Sequence, residues 1–401
     1  MYARNQSPHQ IKRISGKILT FRKVHATLPF VFKLRGSSIM SEIVIPSGCS
    51  INYLANNINH NQPSSFKFEK DSSFSIGAEG FFISCIIGLG RSGNLEKIKI
   101  HLSRSDLVEY GIREDSYLAS ACFINICMQN LVILDRYDKD ITQYLLEMVS
   151  AAVDMEYGAF QGSQSYSLYA LDPYYEHPPA LNLGSAEPSE EDFRTLLGPK
   201  IEQCMVGTTA EAQGALGKIV NSMSLYVFLK EIWENTIHHA RQPSTSLRYM
   251  KVSRVIYNSI TEINNAKLPA ALDTYLKARS TIDGAKKYLI IDIVDSGHGI
   301  YESLKDTLPG RNKIEVVESA FYQHSTSKIQ RKPIRRGLGL FSAMECAHTL
   351  KGLVVITTSG TLCANYDYSN DAFLDNIKVL FSKTEAETDA LPTSISLIMP
   401  V

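Results

Sequence analysis

The stretch Lys287-Tyr288-Leu289-Ile290-Ile291-Asp292-Ile293-Val294-Asp295-Ser296-Gly297-His298-Gly299-Ile300 decides how the second half of this 401-residue chain is read. From Lys287 to Val294 it is a nearly unbroken apolar run with β-branched residues, the pattern of a buried strand. The run ends in Asp295, with glycines at 297 and 299. A carboxylate at a strand end, beside backbone stripped of side chains, can accept a hydrogen bond from an adenine amino group and let the ring approach closely. Asp-Ser-Gly is equally an ordinary strand-ending turn, so the segment takes its meaning from its neighbours.

Upstream, Leu225 to Arg241 carries Leu225, Phe228, Leu229, Ile232 and Thr236 along one side, while Glu231, Asn235 and His238 recur at i, i+4 and i+7. The spacing predicts an amphipathic helix with a polar stripe. A carboxylate one turn from a carboxamide can orient and deprotonate a water while the amide oxygen ligates Mg²⁺, a hard ion that prefers oxygen. A solvated helix face has the same spacing. Downstream, Arg335-Arg336-Gly337-Leu338-Gly339-Leu340-Phe341 opens an apolar helical stretch through Ala343, Met344, Ala347 and Leu350, with Gly352 as its expected C-terminal stop. Glycines before a helix leave backbone N–H groups free to cradle phosphate at the positive helix end.

Taken in order, Glu231-x-x-x-Asn235-x-x-His238, Asp295-x-Gly297-x-Gly299 and Gly337-Leu338-Gly339-Leu340 resemble the N box and the two glycine boxes of the GHKL superfamily, the Bergerat-fold ATPases of gyrase B, heat-shock chaperones, histidine kinases and MutL. The resemblance spans about residues 205 to 401 and implies a Bergerat-type α/β sandwich that takes ATP and Mg²⁺. Carried across position by position, it makes Glu231 the general base, Asn235 the Mg²⁺ ligand and Asp295 the adenine-reading carboxylate. Gly297, Gly299 and Ile300 surround the base, and Arg336, Gly337, Leu338, Gly339 and Leu340 form the phosphate loop. His238 holds a position that is often His or Asp in the superfamily, with a structural histidine the other reading. Gln323 to Ile329, with Ser327 and Lys328, looks like the Thr-Ser-Lys stretch of MutL-type lids, and Lys328, Arg331, Lys332, Arg335 and Arg336 make that lid basic. Thr393 to Pro400 resembles the closing strand, with Thr393 as a second nucleotide contact.

Composition bounds the rest. Forty-one basic residues balance 41 acidic ones, so no global field favours nucleic acid or an anionic membrane. Hydrophobic residues make up 44% and charged residues 20%, an ordinary globular balance. The seven cysteines form no CxxC pair and suit reduced core thiols. Phe81 to Leu89 is the longest apolar run and is too short to span a bilayer; a cytoplasmic location without membrane association is expected. Residues 1–24 form a basic segment. Residues 25–190, with short β-rich runs and helix-length segments such as Ala119 to Leu134, are expected to form a separate α/β domain whose chemistry the residues do not give. A Pro-, Tyr- and acid-rich connection over 172–192 follows, and then a unit over 191–401 with an insert at 242–286. Ser189 with Asp192 suits a helix start there, and Pro269 another near 269. Gly88-Leu89-Gly90-Arg91-Ser92-Gly93 fits the dinucleotide pattern, but the strand-like Lys97 to Leu102 follows instead of a helix, so it reads as a glycine-rich turn.

Within the superfamily, gyrase and MutL relatives add a domain after the ATPase, whereas the present unit closes at Val401, so those machines are not expected. Histidine kinases need a phospho-acceptor His just upstream, and none occurs between 190 and 225. The expected function is therefore that of a nucleotide-gated ATPase with a protein partner or a second copy of itself, as in standalone bacterial members. A protein kinase acting on a partner, and a scaffold that binds without hydrolysis, are the alternatives.

Overall fold

The computed structural model describes residues 41–61, 63–110, 131–145, 165–171, 188–205, 210–239, 247–265, 268–282, 284–321, 339–358, 361–365, 379–382 and 392–401. The chain is an α/β protein with one parallel and one antiparallel sheet. Strands β1 (Glu42–Ile45), β2 (Ser65–Phe68), β3 (Lys97–Lys99) and β4 (Val132–Leu134) pair in sequence order, all parallel. Parallel neighbours need crossovers, and α1 (Ile51–Asn61), α2 (Ala78–Arg91) and α3 (Arg104–Tyr110) lie within them. The run to Leu134, expected to be helical, ends instead in a strand: Val132-Ile133-Leu134 is a short apolar stretch that periodicity cannot assign, and pairing with β3 decides it.

Helix α2 packs against both sheets. It contains the apolar run from Phe81 to Leu89, and every residue from Gly80 to Gly90 is buried. A helix apolar on all sides must be covered on all sides. Phe82 packs edge-on against Phe66 and Phe68 of β2, with ring centroids 5.1 and 5.5 Å apart, and lies 4.9 Å from Phe74. The other side meets the second sheet, where Gly80 is obligatory: a Cβ there would lie 2.6 Å from Ser394 Oγ and 3.0 Å from Asp292 Oδ1. Gly88 and Gly90 thus belong to the last turns of a buried helix, and the turn follows at Gly93, with φ +69°.

The second sheet has the order β10-β9-β8-β11-β7-β6-β5, with every pair antiparallel. Its strands are β5 (Ser165–Leu171), β6 (Leu247–Ile256), β7 (Lys287–Asp295), β8 (Leu353–Thr358), β9 (Thr361–Asn365), β10 (Val379–Ser382) and β11 (Ser394–Pro400). The expected buried strand is β7. Two differences from the expected organisation stand out. β5, which precedes the connection at 172–192, pairs with β6, so this sheet crosses the boundary placed near 190, and residues 40–401 form one compact unit. β6, inside the segment read as an insert, pairs with β7 from Arg248 to Ile256.

The helices follow local signals closely. α4 (Glu190–Cys204) starts at the Ser189 box: Ser189 Oγ accepts from Asp192 N at 3.2 Å and Asp192 Oδ2 accepts from Ser189 N at 2.7 Å. α5 (Ala210–Val220) and α6 (Met223–His239) follow. Then come α7 (Ile260–Asn265), α8 (Ala270–Ile282) starting after Pro269, α9 (Ile300–Leu304), α10 (Lys313–Ser319) and α11 (Gly339–Thr349). The left-handed residue that ends α11 is Lys351, with φ +55°, rather than Gly352. Lys351 N bonds His348 O and Gly352 N bonds Ala347 O, each at 2.8 Å, the two bonds of a Schellman motif. Gly352 is required for space, since a Cβ there would sit 2.8 Å from Leu397 Cδ1. The Tyr275 hydroxyl of α8 pins this corner, 2.9 Å from Lys351 O and 3.0 Å from Ile398 O. Tyr275→Phe removes that donor from buried carbonyls and is expected to cost about 1–2 kcal/mol in urea unfolding, with no change in secondary structure.

Candidate functional site

Glu231 and Asn235 lie one turn apart on α6, as the polar stripe predicts, and α11 packs against that helix. The approach is close because α11 begins with a glycine: a Cβ on Gly339 would lie 2.9 Å from Glu231 Oε2, 3.2 Å from Asn235 Nδ2 and 3.4 Å from Asn235 Oδ1. Three of the expected site residues are therefore brought together. Burial raises the Glu231 carboxyl above its ordinary value, and the Lys230 charge opposes that rise. Asn235 Nδ2 is buried without a hydrogen-bond partner among the described residues. An orphaned amide beside a helix start is an arrangement that a bound polar group completes.

A second cluster forms at the end of β7. Gly297 N donates to Asp295 Oδ1 at 2.7 Å, and the Asp295 carboxylate also accepts from the Thr393 backbone. In return, Asp295 N donates to Thr393 O at 3.0 Å. The Thr393 and Thr358 hydroxyls lie 3.1 Å apart, and Ile300 N donates to Thr358 Oγ1 at 2.8 Å. Gly299, at φ +87°, makes the turn into α9 that a side chain would strain.

The two clusters share one face of the sheet. Arg248 stands directly opposite Asp295 in the β6–β7 register, so the two side chains project the same way. The Arg248 guanidinium lies 5.6 Å from the centre of the Trp233 ring, on the helix that carries Glu231 and Asn235. The opposite face holds a separate polar group under α2: Ser396 Oγ donates to Asp292 Oδ1, and Lys251 pairs with Glu79.

No known protein family, curated protein or solved structure matches this chain. His238 falls within α6 but its side chain lies outside the described residues, as do Ser327, Lys328, Arg336, Gly337, Leu338 and the other basic residues of 322–338. Leu340 is the second residue of α11 and half-buried against the core. Among the described residues no group of three His, Cys, Asp or Glu is placed to hold a metal. No helix among the described residues is long and apolar enough to cross a membrane. Sequence reasoning missed Thr358, signalled only by its place at a strand end, and Arg91, whose Nη1 donates to Gly297 O at 3.4 Å from 206 positions away.

Burial pushes both Asp292 and Asp295 up from 3.8 to about 6. Between these values the unfolded chain releases protons that the folded chain keeps, so the stability each group contributes is full below about pH 4 and lost as pH rises through about 6. Asp295→Asn, which keeps an acceptor for Gly297 N, is expected to be more stable than wild type by roughly 2 kcal/mol at pH 7. In urea unfolding at both pH values, that gain should disappear at pH 4.

Proposed function

We propose that this chain binds ATP with Mg²⁺ between α6, α11 and the end of β7, and hydrolyses it, as a GHKL-type ATPase serving as a nucleotide-gated regulatory or defence component. The observation that carries the reading is the seat of Gly339 on Glu231 and Asn235, which sets a helix N-terminus beside a carboxylate and an unsatisfied carboxamide. Each supplies a different part of the chemistry. Free N–H groups at the start of α11 suit phosphate oxygens. Asn235 would hold Mg²⁺ through its amide oxygen, and the ion would supply positive charge to the triphosphate.

Glu231 orients the attacking water and takes its proton, and its raised carboxyl value makes it a stronger base than an exposed glutamate. At the end of β7, Asp295 accepts from the adenine amino group while Gly297 and Gly299 let the ring approach. Thr393, bonded to Thr358, adds a hydroxyl on the same side.

The test is Mg²⁺-dependent ATP turnover, with binding measured in parallel. Glu231→Ala should bind ATP yet lose turnover by about 100-fold or more. Asn235→Ala should lose the Mg²⁺ dependence of binding. Gly339→Ala should lose both binding and turnover while melting within a few degrees of wild type. Wild-type protein that does not bind ATP would remove the proposal, and phosphate appearing on a second protein instead of in solution would redirect it to phosphotransfer.

A further inference from the structure

Arg91 ends α2, the helix shared by the two sheets, and it meets the turn that follows β7 rather than solvent. Its half-buried guanidinium donates to Gly297 O at 3.4 Å and acts by charge on Asp295. Asp295 is bonded by the backbone of Gly297 and of Thr393. The position of Arg91 is imposed from the far end of its helix. Glu79 pairs with Lys251, and Gly80 lies against Asp292 and Ser394, so α2 is seated on β7 before its last turn reaches the strand end.

We propose that Arg91 is a positioning and specificity residue of the nucleotide site: it holds the Asp295–Gly297 turn and sets a positive charge against the Asp295 carboxylate, so that the site accepts a 6-amino purine and rejects a 6-oxo purine. This inference rests on the ATP reading of the same site. The chemistry follows from the ionisation of one group. A carboxylate accepts from a 6-amino group and repels the lone pairs of a 6-oxo group, whereas a protonated carboxyl can donate to the 6-oxo oxygen. Discrimination therefore requires Asp295 to be charged, and burial works against that.

Around Asp295, Arg248 stands opposite on β6, Thr393 precedes β11, Thr358 ends β8, and exposed His298 follows in the turn; α6 carries the titratable residues Lys230, Glu231 and Glu234. The Arg91 charge opposes the rise that burial imposes on the Asp295 carboxyl. The N-terminal half would thereby enter base recognition through one side chain.

The experiment is equilibrium binding of ATP and of inosine triphosphate, each with Mg²⁺, to wild type, Arg91→Gln and Arg91→Lys from pH 5.5 to 8. Wild type should favour ATP by roughly tenfold at pH 7.5, the worth of one charge-assisted hydrogen bond. In Arg91→Gln that ratio should fall to within about threefold, and the pH midpoint of ATP binding should rise by about one unit. Arg91→Lys should keep most of the ratio. Equal weakening of both nucleotides in Arg91→Gln, with ratio and midpoint unmoved, overturns the inference and leaves the ATP reading standing. No ATP binding by wild type overturns both. Should Arg91→Gln fail to fold, Arg91→Met, which keeps the apolar stem, carries the same expectation.

Discussion

A helix that is apolar on every side has no stable place on a surface, and α2 imposes that condition on the whole molecule. One sheet cannot cover it. β2 and its phenylalanines take one side, and β7 with β11 take the other. The parallel and antiparallel sheets are thus parts of one packing problem. Glycine at position 80 and the buried Glu79–Lys251 pair fix how closely and in what register the helix meets β7.

β7 sets one carboxylate on each of its two faces, for different reasons. Asp292 under α2 and Asp295 at the strand end are both carboxylates in places that disfavour their charge, yet their partners differ. Asp292 accepts from Ser396 inside a closed layer, an arrangement that specifies register. Asp295 accepts from the backbone of Gly297 and of Thr393 and sits where the strand gives way to glycines. Asn235, whose Nδ2 has no hydrogen-bond partner among the described residues, lies with Glu231 at the start of α11.

Local signals in the sequence were legible wherever a few neighbouring residues settle the outcome. The stripe of Glu231 and Asn235 on a helix, the buried run of β7, the Ser189 box and the start of α8 after Pro269 all depend on contacts within a turn or two. The juxtaposition of Glu231, Asn235 and Gly339 followed from a resemblance rather than from spacing. What escaped was long-range pairing. Val132–Leu134 became a strand through β3, β5 joined the sheet across the proline-rich connection, and the segment at 242–286 supplied an interior strand. Arg91 was hidden for the same reason: a glycine pattern drew the eye to its neighbours, while its partner lies 206 positions downstream.

The place of β5 has a bearing on how the protein survives in a crowded solution. It covers β6, a ten-residue strand whose backbone would otherwise form the border of the antiparallel sheet, and substitutes a seven-residue border of its own. A long unpaired border is a template for another chain. Cleavage in the connection after Leu171 would loosen the hold on β5, and the first symptom would be self-association through bared β6 rather than loss of any chemistry.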